Sequence, residues 1–598
     1  MGIPHLRRQL EAYAERTVIE PCDVVLDGPA LAYHVLNLCS RGTRSTSPFE
    51  QPSYDVLGRT AVAWLNKIQA CGLSVAAIYF DSYLPSSKRP ERLQRLLKCS
   101  RDLIKYHSSR LSGVPGIDHR RASDAQVELF PDSWPGDGSK KPKPPPPPFL
   151  VPAIIDALRC SPVYQHLVKL VPGEADVFCA RHVRSKAGLV LTSDSDLLIC
   201  DLGPDGGIVF FSDIDLDSER QRLISLQYRP VDICRRLSIK PETGLLYLAF
   251  EISNDPHLTL KQAVERSKRV EADATPREEY SEFIKQYISP EVATGFETDQ
   301  ALILDPRVSE IALRSVLSSD MWPSNDESTK SICIDTQLEM YLPFLLDCPS
   351  RVSSWEASKP LRQLAYSILQ SAHGGEIPSV SEMRRLQSIT TGVRVDVPSP
   401  LEIDKTASSL LALLSEIDAA ISKPEVAWTV LSIYQDIVMT MDRARACPLS
   451  LELLEKEARG RLDTCSWEFL HFLAQTQATL YSLRMLRQIL EFVAYNAGPL
   501  PPPTSELASF LSSVPPLPEF PYPRRFADTL RKVREEGGLS CLMSLCADFE
   551  DIVSLIKSVL RPEETKKTKK RKAASSMGES QSKSRSSNPF DLLDRDED

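Results

Sequence analysis

GEADVFCARHVRSKAGLVLTSDSDLLICD, residues 173–201, sets four carboxylates around a strand that has no structural use for them. Glu174 and Asp176 come first, and Asp194 and Asp196 follow. Between the pairs Ala175, Val177, Phe178, Ala180 and Val183 carry a helical apolar rhythm, and Leu189, Val190 and Leu191 read as a short buried strand. The second pair therefore lies just past a strand end, where open parallel α/β sheets form their sites. Asp194 and Asp196 are two apart in extended or turn backbone, so both can face one crevice. Two residues of helix turn by about 200°, which places Glu174 and Asp176 at a helix entrance rather than in mid-run. Four carboxylates converging there repel one another unless a divalent cation neutralises them.

A plainer account is open for this stretch alone. Acids suit a helix N-terminus, and Ser193, Asp194 and Ser195 supply turn and cap chemistry. Upstream sequence favours the site. In CDVVLDGPALAYHVL (22–36) an apolar strand runs straight into Asp27, and in LSVAAIYFDSYLP (73–85) another ends at Asp81. A solvated turn explains one strand ending in aspartate better than it explains three.

The segments MGIPHL, VVLDGPALAYHVL, IYFDSYLP and GEADVFCARHVRSKAGLVLTSDSDLLICDLG, in this order, resemble the flap-endonuclease/XPG superfamily of PIN-like nucleases, and within it the asteroid family. The likeness runs over about residues 1–270. It implies an α/β fold: a PIN-like/XPG-like domain with a central, mainly parallel sheet flanked by helices. It also implies magnesium or manganese, two ions, held by Asp27, Asp81, Glu174, Asp176, Asp194 and Asp196, with a seventh acid offered by Asp255 in LLYLAFEISND. The activity implied is phosphodiester hydrolysis in branched or single-strand-containing nucleic acid, with DNA the favoured substrate. One departure stands out: flap endonucleases follow the seventh acid with a glycine-paired turn that grips duplex, and here the chain reads HLTLKQAV. That loss and the long helical C-terminal half support a competing expectation, a nuclease-derived adaptor without turnover.

Composition sets the outer bounds. The 598 residues, 42% hydrophobic, suffice for about two to four domains. No stretch of about 20 residues is free of charge, so no membrane span is expected; Arg484 and Arg487 interrupt the most apolar helix. The N-terminus lacks the apolar core of a secretory signal, and Leu6 stands where myristoylation needs Ser or Thr. Fourteen cysteines without a CxxC pair read as reduced thiols rather than a zinc site. A net charge of −9 excludes indiscriminate coating of nucleic acid and puts binding on local patches.

The strongest patch follows Asp81. Lys88, Arg89, Arg92, Arg95, Lys98, Arg101 and Lys105 fall mostly on three- and four-residue steps, a basic stripe on one helix. Its place beside an aspartate of the site favours phosphate binding over a merely solvated face, with Lys88, Arg92 and Arg95 leading. Residues 112–148 then lose periodicity and end in five prolines, Pro144 to Pro148, a surface spacer with little expected order. GPDGGIVFF (203–211) reads as a hairpin-like edge rather than a phosphate loop.

From 271 to 560 apolar residues recur at three and four, a largely α-helical region suited to protein partners. His373 and His471 lack partners at ligand spacing and read as structural. The tail, 561–598, is expected to be disordered. It carries Lys566, Lys567, Lys569, Lys570, Arg571 and Lys572, a cluster that reads as a nuclear import signal or a nucleic-acid tether, against the plainer account of a solubilising tail. The expected location is the nucleus, with the cytoplasm as the alternative. NPFDLL, opening at Asn588 and closing at Leu593, has the composition of a short docking peptide.

Overall fold

The structure is a computed structural model and describes residues 3, 5–40, 46–84, 88–117, 127–131, 142–241, 243–272, 278–287, 303–317, 338–373, 377–385, 392–442 and 447–560. The basic cluster at 566–572, the NPFDLL segment and much of the proline-rich insertion lie outside these residues.

Five strands make the parallel heart of the sheet: β2 (Asp23–Asp27), β3 (Ser74–Asp81), β4 (Val168–Val171), β5 (Leu189–Thr192) and β6 (Gly207–Phe210). β1 (Glu15–Val18), β7 (Asp215–Asp217) and β8 (Arg222–Tyr228) complete it with antiparallel pairings, and the order is β1-β8-β6-β5-β2-β3-β4, with β7 on β8. The chain builds from β2 outward to β3 and β4, then returns to β2's other side with β5. The order therefore reverses between β2 and β5, the point at which open α/β sheets place a crevice at the strands' C-terminal ends.

The period of two in the strands sorts side chains onto two cores. Val24, Leu26, Ile78, Phe80, Leu189 and Leu191 face one, and Val25, Ala77, Tyr79, Val190, Ile208 and Phe210 face the other. Both faces are covered, so these strands read as continuous apolar runs. On the first face lie α2 (Gly28–Cys39), α3 (Tyr54–Ala70) and α5 (Leu150–Arg159). On the second lie α1 (Leu6–Leu10), α6 (Ala175–Lys186), α7 (Pro230–Leu237) and α8 (Gly244–Asn254). α4 (Arg89–Ser108) rises from β3, and α9 (Leu260–Ala272) follows α8. β6, expected as a hairpin-like edge, is instead an inner strand, parallel to β5 and antiparallel to β8. Its four residues are all buried, which an edge would not require.

Gly28 matters to the crevice. A Cβ there would stand 2.5 Å from the Phe80 ring, so only glycine lets α2 start hard against β3 directly after Asp27.

Beyond α10 (Glu278–Tyr287) and α11 (Pro306–Leu317), the C-terminal half adds α12 (Lys359–His373), α13 (Ile403–Ala420), α14 (Pro424–Asp442), α15 (Leu449–Ala458), α16 (Trp467–Ala497), α17 (Thr504–Leu511), α18 (Pro523–Glu535), α19 (Gly538–Leu545) and α20 (Glu550–Leu560). Periodicity gave no sign of a small sheet within it, β11 (Val393–Asp396), β10 (Ser379–Met383) and β9 (Leu338–Tyr341) in that order. α16 is buried almost all round and docks on α5: Phe149 stacks on Tyr481 with ring centroids 5.0 Å apart, and Arg484 grips Asp156 at 2.9 and 2.8 Å. The charge that interrupts this helix in sequence is thus spent inside the protein. One continuous hydrophobic cluster runs from the sheet into the C-terminal helices. No helix of the described residues is long and apolar enough to cross a membrane.

Candidate active site

Each acid of the crevice is placed by a strand or helix terminus. Asp27 closes β2 and caps α2, its Oδ1 accepting from the Ala30 amide at 3.1 Å. Its Oδ2 accepts from Thr192 Oγ1, at the end of β5, at 2.7 Å. Asp81 closes β3 and accepts from the Ala175 amide at 2.7 Å, so β3 and the start of α6 are tied through it. Glu174 is the N-cap residue of α6 and Asp176 lies in its first turn, the helix entrance expected from their spacing. Asp194 caps a short 3-10 turn, accepting from the Asp196 amide at 2.9 Å, and Asp196 accepts from the Ile3 amide at 2.8 Å.

The electrostatics shows that these groups feel one another. Burial first, and then the charges of Asp81 and Asp194, push Asp27 up to about 7 against the pull of its two hydrogen bonds. Burial raises Asp81 to about 6; Glu174 adds to this, while the Ala175 amide, Arg92 and Arg95 oppose it. Asp196 is raised to about 6 by burial and then by Asp194. Asp176 is held well above the usual carboxylate range by burial and by Asp27, Asp194, Asp81 and Glu174 together. Among the described residues no hydrogen bond or ion pair to its side chain offsets that. Six carboxylates therefore share one field.

Among the described residues no three His, Cys, Asp or Glu side chains close to the spacing of a metal cage. Carboxylates that repel take the donors on offer, here the amides of Ala30, Ala175, Asp196 and Ile3 and the Thr192 hydroxyl. The donor chemistry nevertheless suits a hard divalent cation, since every group is a carboxylate. The adjacent thiols do not compete: burial and the neighbouring acids hold Cys179 and Cys200 well above the usual thiol range, and they stay protonated.

Asp255 stands apart from the six. It ends α8, accepts from the His257 amide at 3.2 Å and lies 3.9 Å from Arg266, and it is not among the charges that act most strongly on the other acids. A helix end and an arginine of α9 claim it instead.

The basic stripe does form one helix, α4, but its charges are not equivalent. Lys88 Nζ lies 3.0 Å from Glu174 Oε1, at the mouth of the crevice. Arg92 departs from the expectation of a leading phosphate contact: its guanidinium is bound at both nitrogens to the buried Glu310, at 2.6 and 2.8 Å. Arg89 pairs with Glu339. Arg95, Lys98, Arg101 and Lys105 are exposed, Arg95 bonding to Glu91 at 2.6 Å and Lys105 3.8 Å from Asp102.

Residues 146–397 match the family model described as XPG domain containing. The chain is 26% identical over 226 residues to Asteroid homolog 1 of Schizosaccharomyces pombe (strain 972 / ATCC 24843), over 35% of this chain and 40% of that protein. Part of the chain is thus similar to the XPG-domain family and to an asteroid protein. It spans two-fifths of the length of the curated relative it matches. The family match crosses the boundary expected near residue 270 and takes in α11, β9 and β10. Flap endonuclease-1 from Methanococcus jannaschii is similar at 13% identity with a TM-score of 0.28, covering 54% of this chain and 96% of that one. The α/β architecture itself is given by the strand order and pairing.

Sequence reasoning missed Thr192, which bridges β5 to Asp27 and accepts from the Asp194 amide at 2.9 Å. A hydroxyl at the last position of an apolar strand, two residues before the acid pair, was the available signal. The backbone donors leave no trace in a sequence.

Proposed function

We propose that the crevice is the catalytic centre of a divalent-metal-dependent, structure-specific nuclease that hydrolyses phosphodiester bonds in branched or single-strand-containing nucleic acid, DNA being the substrate to try first. The observation that carries this reading is the gathering of six carboxyls at the ends of β2, β3 and β5 and the start of α6, at a cost in repulsion that the fold does not need. Asp27, Asp81, Glu174, Asp176, Asp194 and Asp196 would hold two Mg2+ or Mn2+ ions, which when bound would supply Lewis-acid activation of water and neutralise charge at the phosphate. Thr192 and the Ala175 amide orient Asp27 and Asp81. Lys88 stands where a substrate phosphate would compete with Glu174 for it, and Arg95, Lys98, Arg101 and Lys105 extend a positive track for the backbone. Purified protein should cut labelled flap, overhang or single-stranded substrates with magnesium or manganese, and Asp194→Asn should abolish it. Equal cutting by that variant would mean a contaminant.

The competing reading is a nuclease-derived adaptor that binds partners through its helical C-terminal half. It is favoured by the absence of a cage-like trio among the described residues and by the Lys88–Glu174 pair, which gives one acid a protein counter-charge. No metal heat in calorimetry together with no cleavage across the substrate panel would establish it over catalysis.

Nuclear placement through Lys566, Lys567, Lys569, Lys570, Arg571 and Lys572 belongs to the same proposal. Residues 561–598 fused to a cytosolic reporter should carry it into the nucleus; a fusion that stays cytoplasmic removes the tail as the import signal.

A further inference from the structure

Glu310 lies on α11, more than two hundred residues beyond α4, yet it is buried against that helix and takes two charge-assisted hydrogen bonds from Arg92 and two from Arg314, at 3.3 and 3.1 Å. The Arg92 guanidinium also sits 3.5 Å from the ring centre of Tyr341, on β9. Tyr341 donates its hydroxyl to Glu339 at 2.9 Å, and Glu339 in turn accepts from Arg89 at 2.7 Å. Beside these ion pairs Leu93 and Leu97 pack with Tyr341 and Met383 in an apolar cluster separate from the two main cores. Every one of these partners comes from the C-terminal half. The same helix α11 reaches the crevice rim, where Ser309 meets Ser82, the neighbour of Asp81, and Arg314 donates to the Leu84 carbonyl at 3.1 Å.

A helix with a mean composition as polar as α4 does not stay in place by propensity alone. What fixes its first two turns is this set of desolvated pairs, while Lys88 at one end reaches the acids and Arg95, Lys98, Arg101 and Lys105 stay exposed. We propose that Glu310 and Glu339 are positioning residues, supplied by the C-terminal half to hold the basic helix α4 ordered over the acidic crevice before any nucleic acid arrives. The purpose given to the helix rests on the nuclease reading above.

Hydrogen exchange of the full-length protein tests the holding, and binding of a labelled single-stranded oligonucleotide without metal tests its purpose. In Glu310→Gln the amides of 92–97 should exchange about tenfold faster or more, with β2 and α3 unchanged. Tyr341→Leu, which keeps apolar bulk but loses the ring face and hydroxyl, should loosen the same segment and serves if the first variant folds poorly. Oligonucleotide affinity should fall about five- to tenfold in both. Unchanged protection of 92–97 in both variants, or equal acceleration in β2, overturns the inference, as does wild-type affinity in a variant whose helix has loosened. A wild-type protein that binds no oligonucleotide sinks the nuclease reading and this inference with it; wild-type binding matched by Glu310→Gln sinks the inference alone.

Discussion

Thr192 Oγ1 donates to Asp27 Oδ2 at 2.7 Å and accepts from the Asp194 amide at 2.9 Å, so one hydroxyl joins the acid of the first parallel strand to the acid pair beyond the fourth. Thr192 is fully buried and Asp27 nearly so, which makes the bond hard to replace by water. Thr192→Val keeps the shape and removes the hydroxyl. It should destabilise the fold by roughly 1 to 3 kcal/mol, the cost of leaving buried partners unpaired, read from the urea midpoint at constant m-value. It should also drive Asp27 further toward the neutral form and weaken divalent-ion binding. Unaltered stability would mean that the hydroxyl does not carry this bond.

The acids also set how stability responds to pH. Unfolded aspartate titrates near 3.9, whereas the folded values are about 7 for Asp27 and about 6 for Asp81 and Asp196. Between those values the folded protein binds more protons than the unfolded chain, so unfolding free energy falls as pH rises through the window from about 4 to about 7. The contribution is on the order of 3 kcal/mol after allowance for the coupling of the groups and their partial exposure. Protein freed of divalent ions should therefore melt lower at pH 7.5 than at pH 5.5, and millimolar magnesium or manganese should recover most of the difference at pH 7.5. A melting temperature that rises across this window without metal would show that the carboxyls are not crowded.

The same crowding accounts for what was legible in the sequence. Strands, helix entrance and acid pairs could be read because apolar runs that end in aspartate three times over are not what packing or turn chemistry asks for, and the structure brings those acids within one another's field. Asp255 could not be separated from them, since its arginine partner on α9 is fixed by tertiary packing. Arg92 reads as one basic residue in a stripe, and only the fold reveals that Glu310, 218 positions away, consumes it. β9 escaped notice because LEMY is too short to show a period and its partner β10 lies some forty residues further on.

Arg484 gives a test of the interface between the two halves. Its side chain is almost wholly buried, bonded at both terminal nitrogens to Asp156 on α5 and 3.9 Å from Asp305. Arg484→Leu leaves Asp156 without its counter-charge and should cost about 3 to 5 kcal/mol; Arg484→Lys, which keeps charge but loses the fork, should cost less. Arg484→Leu with Asp156→Leu should recover much of the loss, as buried pairs often yield to apolar replacements. Denaturant titration of the three variants decides it, and additive losses in the double variant would show that the two residues do not act as a pair.

Asp176 separates a site from a scaffold. Its carboxyl is crowded by Asp27, Asp194, Asp81 and Glu174 and has no compensating hydrogen bond among the described residues, so the fold gains nothing from its charge. Asp176→Asn removes, at nearly constant volume, a carboxyl whose ionisation the fold opposes. In metal-free buffer at pH 7.5 the variant should be more stable than wild type, by roughly 0.5 to 2 kcal/mol, the range common when a functional residue is relieved. With magnesium or manganese the ranking should reverse, because the wild type gains binding free energy that the variant has lost. Melting curves with and without metal measure both arms. A variant that is less stable than wild type without metal would make Asp176 a structural residue, and one that responds to metal as wild type does would remove it from the ligand set.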